Sequence, residues 1–249
     1  MPQPHSFEGQ RLVAKLGSVF PLTDGERDAV TGLPMQVTDL RADQDIVREG
    51  DRPSRCCALL EGFVCTYKTT SDGKRQILAF HIAGDLPDLQ SLHLKTLDNS
   101  IQTLTACRVG FIQHEHMREL CQQHPRIAGA FWRETLIDAA IFREWILNIG
   151  RREAFSRLAH LLCELVTRLG VVGLVRERTC EMPMTQGELG DALGISTVHV
   201  NRTLQDLRSA GLITLRGGSL EVLDWEGLKR AADFDATYLH LVRPHELGP

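Results

Sequence analysis

The spacing of apolar and polar residues changes near position 114, and that change divides the chain. From Met35 to about Gln113, short apolar runs alternate with turn signals such as Ser71-Asp72-Gly73, which is typical of β-strands. Short strands at this spacing predict a sandwich, a jelly roll or a small barrel. The predicted strands are Met35–Leu40, Cys56–Leu60, Phe63–Lys68, Ile77–Ile82, Ile101–Thr105 and Val109–Gln113.

The residues before Met35 carry weaker signals. Up to about Arg11 they predict a loose arm. Thr23 and Glu26 then have the spacing of a capping box, which opens a short helix that reaches Val30.

A helical period begins after residue 114. The stretch from Pro125 to about Asn148 predicts one long helix that is apolar on two sides, and such a helix must be covered on both. One side can lie on the β domain while the other meets the same helix of a second subunit. The side predicted to form this dimer interface holds Ile127, Phe131, Ile137, Ile141 and Trp145. The other side holds Trp132, Leu136, Ala139, Phe142 and Ile146. The alternative is a central helix that is buried within one chain.

Two further features follow the long helix. Ile149-Gly150-Arg151 is predicted to be a hinge, and a second helix is predicted from Glu153 to Leu169. Arg176–Met184 is a connector with the pattern of a short strand.

The stretch from Met184 to Ile213 predicts two short helices joined by a tight turn. Thr185 and Glu188 have capping-box spacing, and Gly194 can adopt the left-handed conformation that ends the first helix. Ser196 can cap the second helix, whose inward face would be Val200, Leu204 and Leu207. Its outward face would carry Thr197, Val198, His199, Asn201, Arg202 and Gln205.

The residues after this pair of helices predict a wing. Leu212–Leu215 and Leu220–Leu223 alternate like strands on either side of Gly217-Gly218, which is a hairpin signal. A helix-turn-helix places its second helix in the major groove of DNA. The alternative is an ordinary helical hairpin inside a protein core.

Composition and charge add only weak constraints. The chain has 249 residues, 43% of them hydrophobic and 24% charged, which is ordinary for a globular protein. Its net charge of −4 argues mildly against DNA binding, although Arg151–Leu220 holds nine Arg against seven Asp and Glu, a local balance of +2. Seven cysteines without a C-x-x-C pair, no signal pattern and no membrane-length apolar run predict a cytoplasmic location without membrane contact.

The order of these parts resembles the Crp–Fnr family of bacterial transcription regulators. The residues that carry the resemblance are Ile46–Asp51, Asp72–Gln76, Gly84-Asp85, Arg151–Ala159 and Thr185–Ile213. The resemblance covers nearly the whole chain and implies an α+β fold. Its parts are an N-terminal β-roll or jelly-roll domain of the cyclic-nucleotide-binding type, a long dimerisation helix and a C-terminal winged helix-turn-helix. The corresponding ranges are 1–120 for the β-roll sensor domain, 121–150 for the dimerisation helix and hinge, and 151–249 for the winged domain with a C-terminal extension.

The resemblance also implies partners and residue roles. It implies a homodimer that binds a two-fold symmetric operator in double-stranded DNA and recruits or obstructs RNA polymerase, with no catalytic residue. By carry-over onto matching positions, Arg202 reads guanine, while Asn201, Val198 and Thr197 help define the half-site. The DNA-binding surface also includes Ser196 and the expected phosphate contacts His199, Thr185 and Gln186.

The nucleotide cassette departs from the family pattern. Family members that bind cyclic nucleotides hold the ribose with a Gly-Glu pair and the phosphate with an Arg. Asp88-Leu89 falls where Gly-Glu belongs, and Leu97-Asp98-Asn99 falls where Arg-Ser-Ala belongs. A site that has carboxylates in place of the Arg has a negative electrostatic potential, which repels an anion. We therefore expect that the fold is retained but that the nucleotide site is degenerate. A cyclic-nucleotide-responsive regulator is the alternative.

No cofactor or metal is expected. The first cysteine is Cys56, so the N-terminal cluster of the iron–sulfur members is absent, and no histidine spacing singles out a haem ligand. The run from His114 to Glu119 suggests an alternative of another class, a metal-dependent cupin-like enzyme. This run falls at a strand-to-helix junction, where the strand alternation that a cupin needs fails.

Overall fold

The computed structural model describes residues 7–242, which cluster into two compact units. The first contains residues 7–68, 80–139 and 240–242. The second contains Thr69–Ala79 and Ala140–Leu239. The division falls inside the long helix, whereas the sequence suggested boundaries at each end of that helix.

Seven strands make up the β part of the chain: β1 (Gln36–Leu40), β2 (Asp45–Val47), β3 (Arg55–Glu61), β4 (Val64–Thr69), β5 (Arg75–His81), β6 (Ser100–Thr103) and β7 (Cys107–Gln113). One sheet has the order β1-β7-β3 with antiparallel pairing, and the other has the order β2-β6-β4-β5. The six predicted strands are confirmed. Strand β2 was not predicted, because it has three residues and an irregular register with β6, so it is too short to show an alternating pattern.

Apolar side chains of the two sheets form a shared core, which explains why these short strands assemble. Its members include Cys57, Leu59, Val64, Ile101 and Val109, each 0% exposed. Burying several such side chains, each contributing about 1.5–3 kcal/mol, is the main source of stability for a small roll.

Helix α1 (Phe7–Val19) contradicts the predicted loose arm over residues 7–11, and the rest of that arm lies outside the described residues. Leu12 and Leu16 are 0% and 2% exposed and pack in the same apolar cluster as Met117. The half-buried Lys15 lies with its Nζ 3.1 Å from an oxygen of Asp85, so its charge is paired. The prediction failed because Leu12 and Leu16 are buried by residues that are distant in sequence.

Two short helices flank the strands. Helix α2 (Asp24–Thr31) begins with the predicted capping box of Thr23 and Glu26, which is confirmed. Helix α3 (His114–Gln123) follows β7 directly, so the His114 run lies at a strand-to-helix junction as expected.

Helix α4 (Pro125–Arg151) corrects the predicted dimer face. The five residues assigned to that face are at most 6% exposed within a single chain, so a second copy cannot reach them: Ile127, Phe131, Ile137, Ile141 and Trp145. The other side is open, with Trp132 69%, Leu136 57%, Phe142 40% and Ile146 71% exposed. Both sides are apolar in sequence, and only the folded chain shows which of them its own core covers.

The break after α4 lies two residues later than predicted. Helix α4 continues through Gly150, and the chain leaves it at Arg152-Glu153. Glu153 has extended dihedrals (φ −67°, ψ 159°) and precedes α5 (Ala154–Val171). A glycine inside a helix is tolerated at a modest cost, so Gly150 alone does not end α4.

The second unit contains the predicted winged helix-turn-helix. Its elements are α5, β8 (Thr179–Glu181), α6 (Gln186–Leu193), α7 (Thr197–Ser209), β9 (Ile213–Arg216), β10 (Ser219–Val222) and α8 (Trp225–Ala232). The strands form a sheet in the order β8-β10-β9. Gly217 and Gly218 have φ of 57° and 77°, which is the positive-φ pair that a two-residue hairpin turn requires, so the wing hairpin is confirmed.

A buried polar cluster joins α5 to Tyr238 within the second unit. The Glu164 carboxylate on α5 accepts hydrogen bonds from Trp145 Nε1 at 3.0 Å and from the Tyr238 hydroxyl at 2.9 Å, and it pairs with Arg168 at 3.2 Å. Burial raises the pKa of Glu164 above its ordinary value. His160 stacks on Tyr238, and burial lowers the pKa of His160 to about 3. Trp145 is therefore part of the buried core of this unit, where it donates a hydrogen bond to Glu164.

Candidate nucleic-acid interface

The first helix of the pair, α6, is fixed at its N-terminus by the predicted capping box. The Glu188 backbone N–H donates to Thr185 Oγ1 at 3.2 Å, and Glu188 Oε2 accepts from the Thr185 N–H at 2.6 Å. Thr185 remains exposed and Gln186 is half-buried. The first N–H groups of a helix have no intrahelical partner, so those at this end of α6 can donate hydrogen bonds to a phosphate oxygen.

The turn between α6 and α7 depends on two glycines. Gly194 ends α6 with φ 65° and ψ 34°, as predicted, and its N–H donates to the carbonyl of Gly190. A Cβ on Gly190 would lie 2.7 Å from the carbonyl oxygen of Ile195, so only glycine permits this close approach. Gly194 is recognisable from its place at the end of the first predicted helix, whereas the need for Gly190 shows only in the folded turn.

The second helix, α7, begins at Ser196 and has the two predicted faces. The Ser196 hydroxyl accepts a hydrogen bond from the His199 N–H at 3.3 Å, so the predicted cap is confirmed. The inward side chains Val200, Leu204 and Leu207 are 0%, 2% and 0% exposed. The outward side chains are exposed or half-buried, and these are Ser196, Thr197, Val198, His199, Asn201, Arg202 and Gln205.

Arg202 is exposed. No carboxylate oxygen of residues 7–242 lies within 4.0 Å of its guanidinium, so within this range it makes no ion pair, including with Asp206 four residues later. Val198, on the same face, is 80% exposed. An unpaired guanidinium beside an exposed apolar side chain offers both a bidentate donor and a methyl contact to base edges.

One hydrogen bond links the two helices across this surface. Asn201 Nδ2 donates to Gln186 Oε1 at 3.3 Å. The structure therefore brings together a predicted base contact on α7 and a predicted phosphate contact on α6.

Residues outside the two helices also fix them in place. Arg157 on α5 donates to the carbonyls of Leu193 at 2.6 Å and Arg152 at 2.9 Å, which ties the end of α6 to the start of α5. Within the same unit, Arg75 Nε donates to the Asp191 carboxylate at 2.7 Å. In the sequence, Arg75 and Arg157 stand out only as part of the family resemblance. Their partners, Asp191 for Arg75 and Leu193 for Arg157, are distant in sequence, so these contacts could not be predicted.

Asp88 and Leu97, at two positions of the nucleotide cassette, are buried in the interior of the first unit. Leu97 is 1% exposed in the core of the roll. Asp88 is 2% exposed, and its carboxylate accepts a hydrogen bond from the Cys57 N–H at 2.7 Å. Burial raises the pKa of Asp88 to about 7. A core leucine and an engaged carboxylate offer nothing that would neutralise a cyclic phosphate.

The described residues offer little support for a metal-dependent enzyme built on the His114 run. His114 Nε2 lies 2.9 Å from the hydroxyl of the buried Ser91. Within residues 7–242, no three His, Cys, Asp or Glu side chains are grouped so that they could hold a metal ion. Every helix in that range is also too short or too polar to cross a membrane.

The caps, the glycine turn, the polar outward face and the wing define a winged helix-turn-helix DNA-binding protein with a separate β-roll unit. Residues 37–124 match the family model of the cyclic nucleotide-binding domain, and residues 156–231 match that of the Crp-like helix-turn-helix domain. Electron transport regulator A of Shewanella oneidensis is 25% identical over 213 residues, which is 86% of this chain and 85% of that protein. The transcriptional activator protein anr of Pseudomonas aeruginosa is 25% identical over 224 residues, covering 90% and 91% of the two chains.

A solved structure has the same fold. FixK2 from Bradyrhizobium japonicum matches with a TM-score of 0.73 and 24% identity, over 80% of this chain and 98% of that one. The chain belongs to the Crp–Fnr family of bacterial transcription regulators. Members of this family regulate transcription through DNA and are not enzymes.

Proposed function

We propose that the protein acts as a homodimer that reads a two-fold symmetric operator through α7 and thereby controls access of RNA polymerase in the cytoplasm. The observation that carries this proposal is the exposed, unpaired Arg202 on a helix whose caps and inward face are fixed. Because the helix backbone is already fixed, binding has to order only the arginine side chain itself.

The roles of the outward residues follow from their chemistry. Arg202 donates to guanine O6 and N7, Asn201 meets adenine, and Val198 and Thr197 contact thymine methyl groups or base edges. His199, Thr185 and Gln186 contact phosphates and set the register of the helix on the duplex. Ser196 contributes mainly through its cap on α7.

The homodimer forms through the outer α4 face, defined as Trp132, Leu136, Ala139, Phe142 and Ile146. Trp132, Leu136 and Ala139 are four and three residues apart, and Ile146 follows Ala139 by seven residues, which is one coiled-coil repeat. A contiguous apolar stripe that a single chain leaves in water is the kind of surface that a second copy covers. Two copies related by a two-fold axis would present two α7 helices to successive major grooves, roughly 34 Å apart.

Cyclic nucleotides are not the signal in this proposal. The buried Leu97 and Asp88 support it, because neither can take the part of the phosphate-binding Arg. Isothermal titration of the protein with cyclic AMP and cyclic GMP is expected to give no saturable heat. Binding in the micromolar range that shifts operator affinity would contradict this part of the proposal.

Substituting Arg202 tests the base-reading role. Arg202→Ala is expected to cost about 1–3 kcal/mol in operator affinity and to relax the preference at one base position. Arg202→Lys keeps the charge but loses the planar fork, so it should retain much of the non-specific affinity and lose discrimination. Affinities are measured on operators changed one base at a time.

Two control variants separate base reading from charge. Arg230→Ala removes an equally exposed arginine from α8, away from the outward face of α7, and should leave the base preference unchanged. His199→Ala removes a proposed phosphate contact and should weaken all sequences nearly equally. If Arg202→Ala lowers the affinity for every sequence by one common factor, the base-reading role is wrong.

A further inference from the structure

The first unit contains a cavity that shares only Trp132 with the surfaces proposed above. It has a volume of about 430 Å³ and lies between the 3₁₀ turn Leu89–Leu92, α3 and the N-terminal half of α4. This volume is within the usual range for small-molecule sites. Its apolar wall consists of Leu89, Leu92, Ala128, Phe131 and Trp132.

The positively charged Arg118 lies at the edge of this apolar wall. Arg118 on α3 lines the cavity, and its guanidinium donates to the carbonyl of Leu92 at 3.3 Å, which holds it there. Among the described residues, no carboxylate oxygen lies within 4.0 Å of that guanidinium. Among the described residues the guanidinium therefore has no anionic partner. Four further polar residues line the cavity, namely Gln90, His93, Gln122 and Thr135.

The cavity overlaps the family's nucleotide cassette at one position only. Of the cassette positions quoted above, only Leu89 lines it, while Asp88 and Leu97 do not. A polyanionic ligand would find one arginine and no lysine in this lining. The chemistry fits one negative charge attached to an apolar body.

We propose that this cavity binds a small amphipathic organic acid, whose carboxylate pairs with Arg118 and whose apolar body lies against Phe131 and Trp132. A guanidinium and a carboxylate form a charge-assisted, bidentate pair, which sets the orientation of the ligand. The apolar body supplies the burial energy in proportion to the surface that it removes from water. Binding of such an acid does not depend on the DNA-binding proposal.

Cys121 provides a built-in reporter for binding. It lines the cavity and is half-buried, whereas the other six cysteines are buried. A thiol reagent should therefore modify Cys121 first, and a ligand in the cavity should slow that reaction. The fluorescence of Trp132, on the cavity wall, gives a second readout of the same event.

The test uses three probes with one apolar body, namely octanoate, 1-octanol and octylamine. Octanoate is expected to protect Cys121 in a saturable way and to bind about tenfold more tightly than 1-octanol, while octylamine should bind more weakly than either. Arg118→Gln should remove the preference for octanoate over 1-octanol. Arg41→Gln makes the same charge change at an exposed position outside the cavity lining and should leave that preference unchanged.

Filling the cavity separates a true site from surface adsorption. Ala128→Leu adds volume on the cavity wall, so it should abolish protection of Cys121 in a protein that retains its thermal unfolding transition. Equal binding of the three probes, or protection that persists in both Arg118→Gln and Ala128→Leu, would overturn the proposal. Operator binding is measured separately on the unliganded wild type, and its failure would contradict the proposed function alone.

Discussion

Charging the outer α4 face at Ile146 tests the dimer and its role in DNA binding together. Ile146 is 71% exposed in the single chain, and complete burial of such a side chain contributes about 1.5–3 kcal/mol. Covering the exposed part therefore contributes roughly 1–2 kcal/mol per copy, and a two-fold interface counts it twice. Ile146→Glu is thus expected to weaken the dimer by at least about 2–4 kcal/mol, or roughly 30- to 1,000-fold in its dissociation constant.

Sedimentation velocity over a range of concentrations measures this shift, and operator affinity is measured in parallel. Leu223→Glu makes the same kind of change at a residue that is 43% exposed outside α4, and it should leave the dimer intact. Ile141→Glu places a carboxylate at a site that is 5% exposed, so it should unfold the chain instead. If Ile146→Glu remains as dimeric as the wild type, the outer α4 face is not the interface. If it becomes monomeric and still binds the operator tightly, the link between dimer and DNA fails.

Two further predictions concern stability. Gly190→Ala puts a Cβ 2.7 Å from the Ile195 carbonyl oxygen, so it should destabilise the DNA-binding unit by about 1–3 kcal/mol in urea unfolding, whereas Gly187→Ala, with its nearest contact at 3.7 Å, should not. The second prediction concerns Asp88, whose pKa burial raises from 3.8 to about 7 in the folded state. Between pH 4 and pH 7 the folded state therefore keeps a proton that the unfolded state loses. As the pH rises through this range, Asp88 lowers the free energy of unfolding. The neutral Asp88→Asn should therefore raise the free energy of unfolding by up to about 4 kcal/mol at pH 7 and by little at pH 4; equal effects at both pH values would show that Asp88 is not a buried, protonated acid.

The helix-turn-helix could be predicted from the sequence because its signals are local. The capping box of Thr185 and Glu188, the left-handed Gly194 and the cap at Ser196 each act over three or four residues. The six predicted strands are likewise marked by turns next to them in sequence. Where the backbone needs a particular residue within one turn, a single sequence shows it.

The features that were missed or misassigned depend on contacts between distant residues. Two apolar sides of α4 look alike in sequence, and the choice between them was wrong because the covering side chains come from other elements. Helix α1 is stabilised mainly by tertiary burial of Leu12 and Leu16. The role of Gly190 depends on the approach of Ile195 from beyond the turn. The hinge was placed at Gly150 because glycine favours breaks, yet α4 continues past it.

The most direct test of the account is a selection of bound duplexes from a random DNA pool by the purified wild-type protein, with Arg202→Ala run in parallel. The account predicts an enriched motif with two inverted half-sites whose centres lie about one helical turn apart. It also predicts that Arg202→Ala loses the preference at one symmetric pair of base positions and keeps it at the others. Enrichment of a single asymmetric half-site, or of no motif at all, would contradict the reading of a two-fold operator by paired α7 helices.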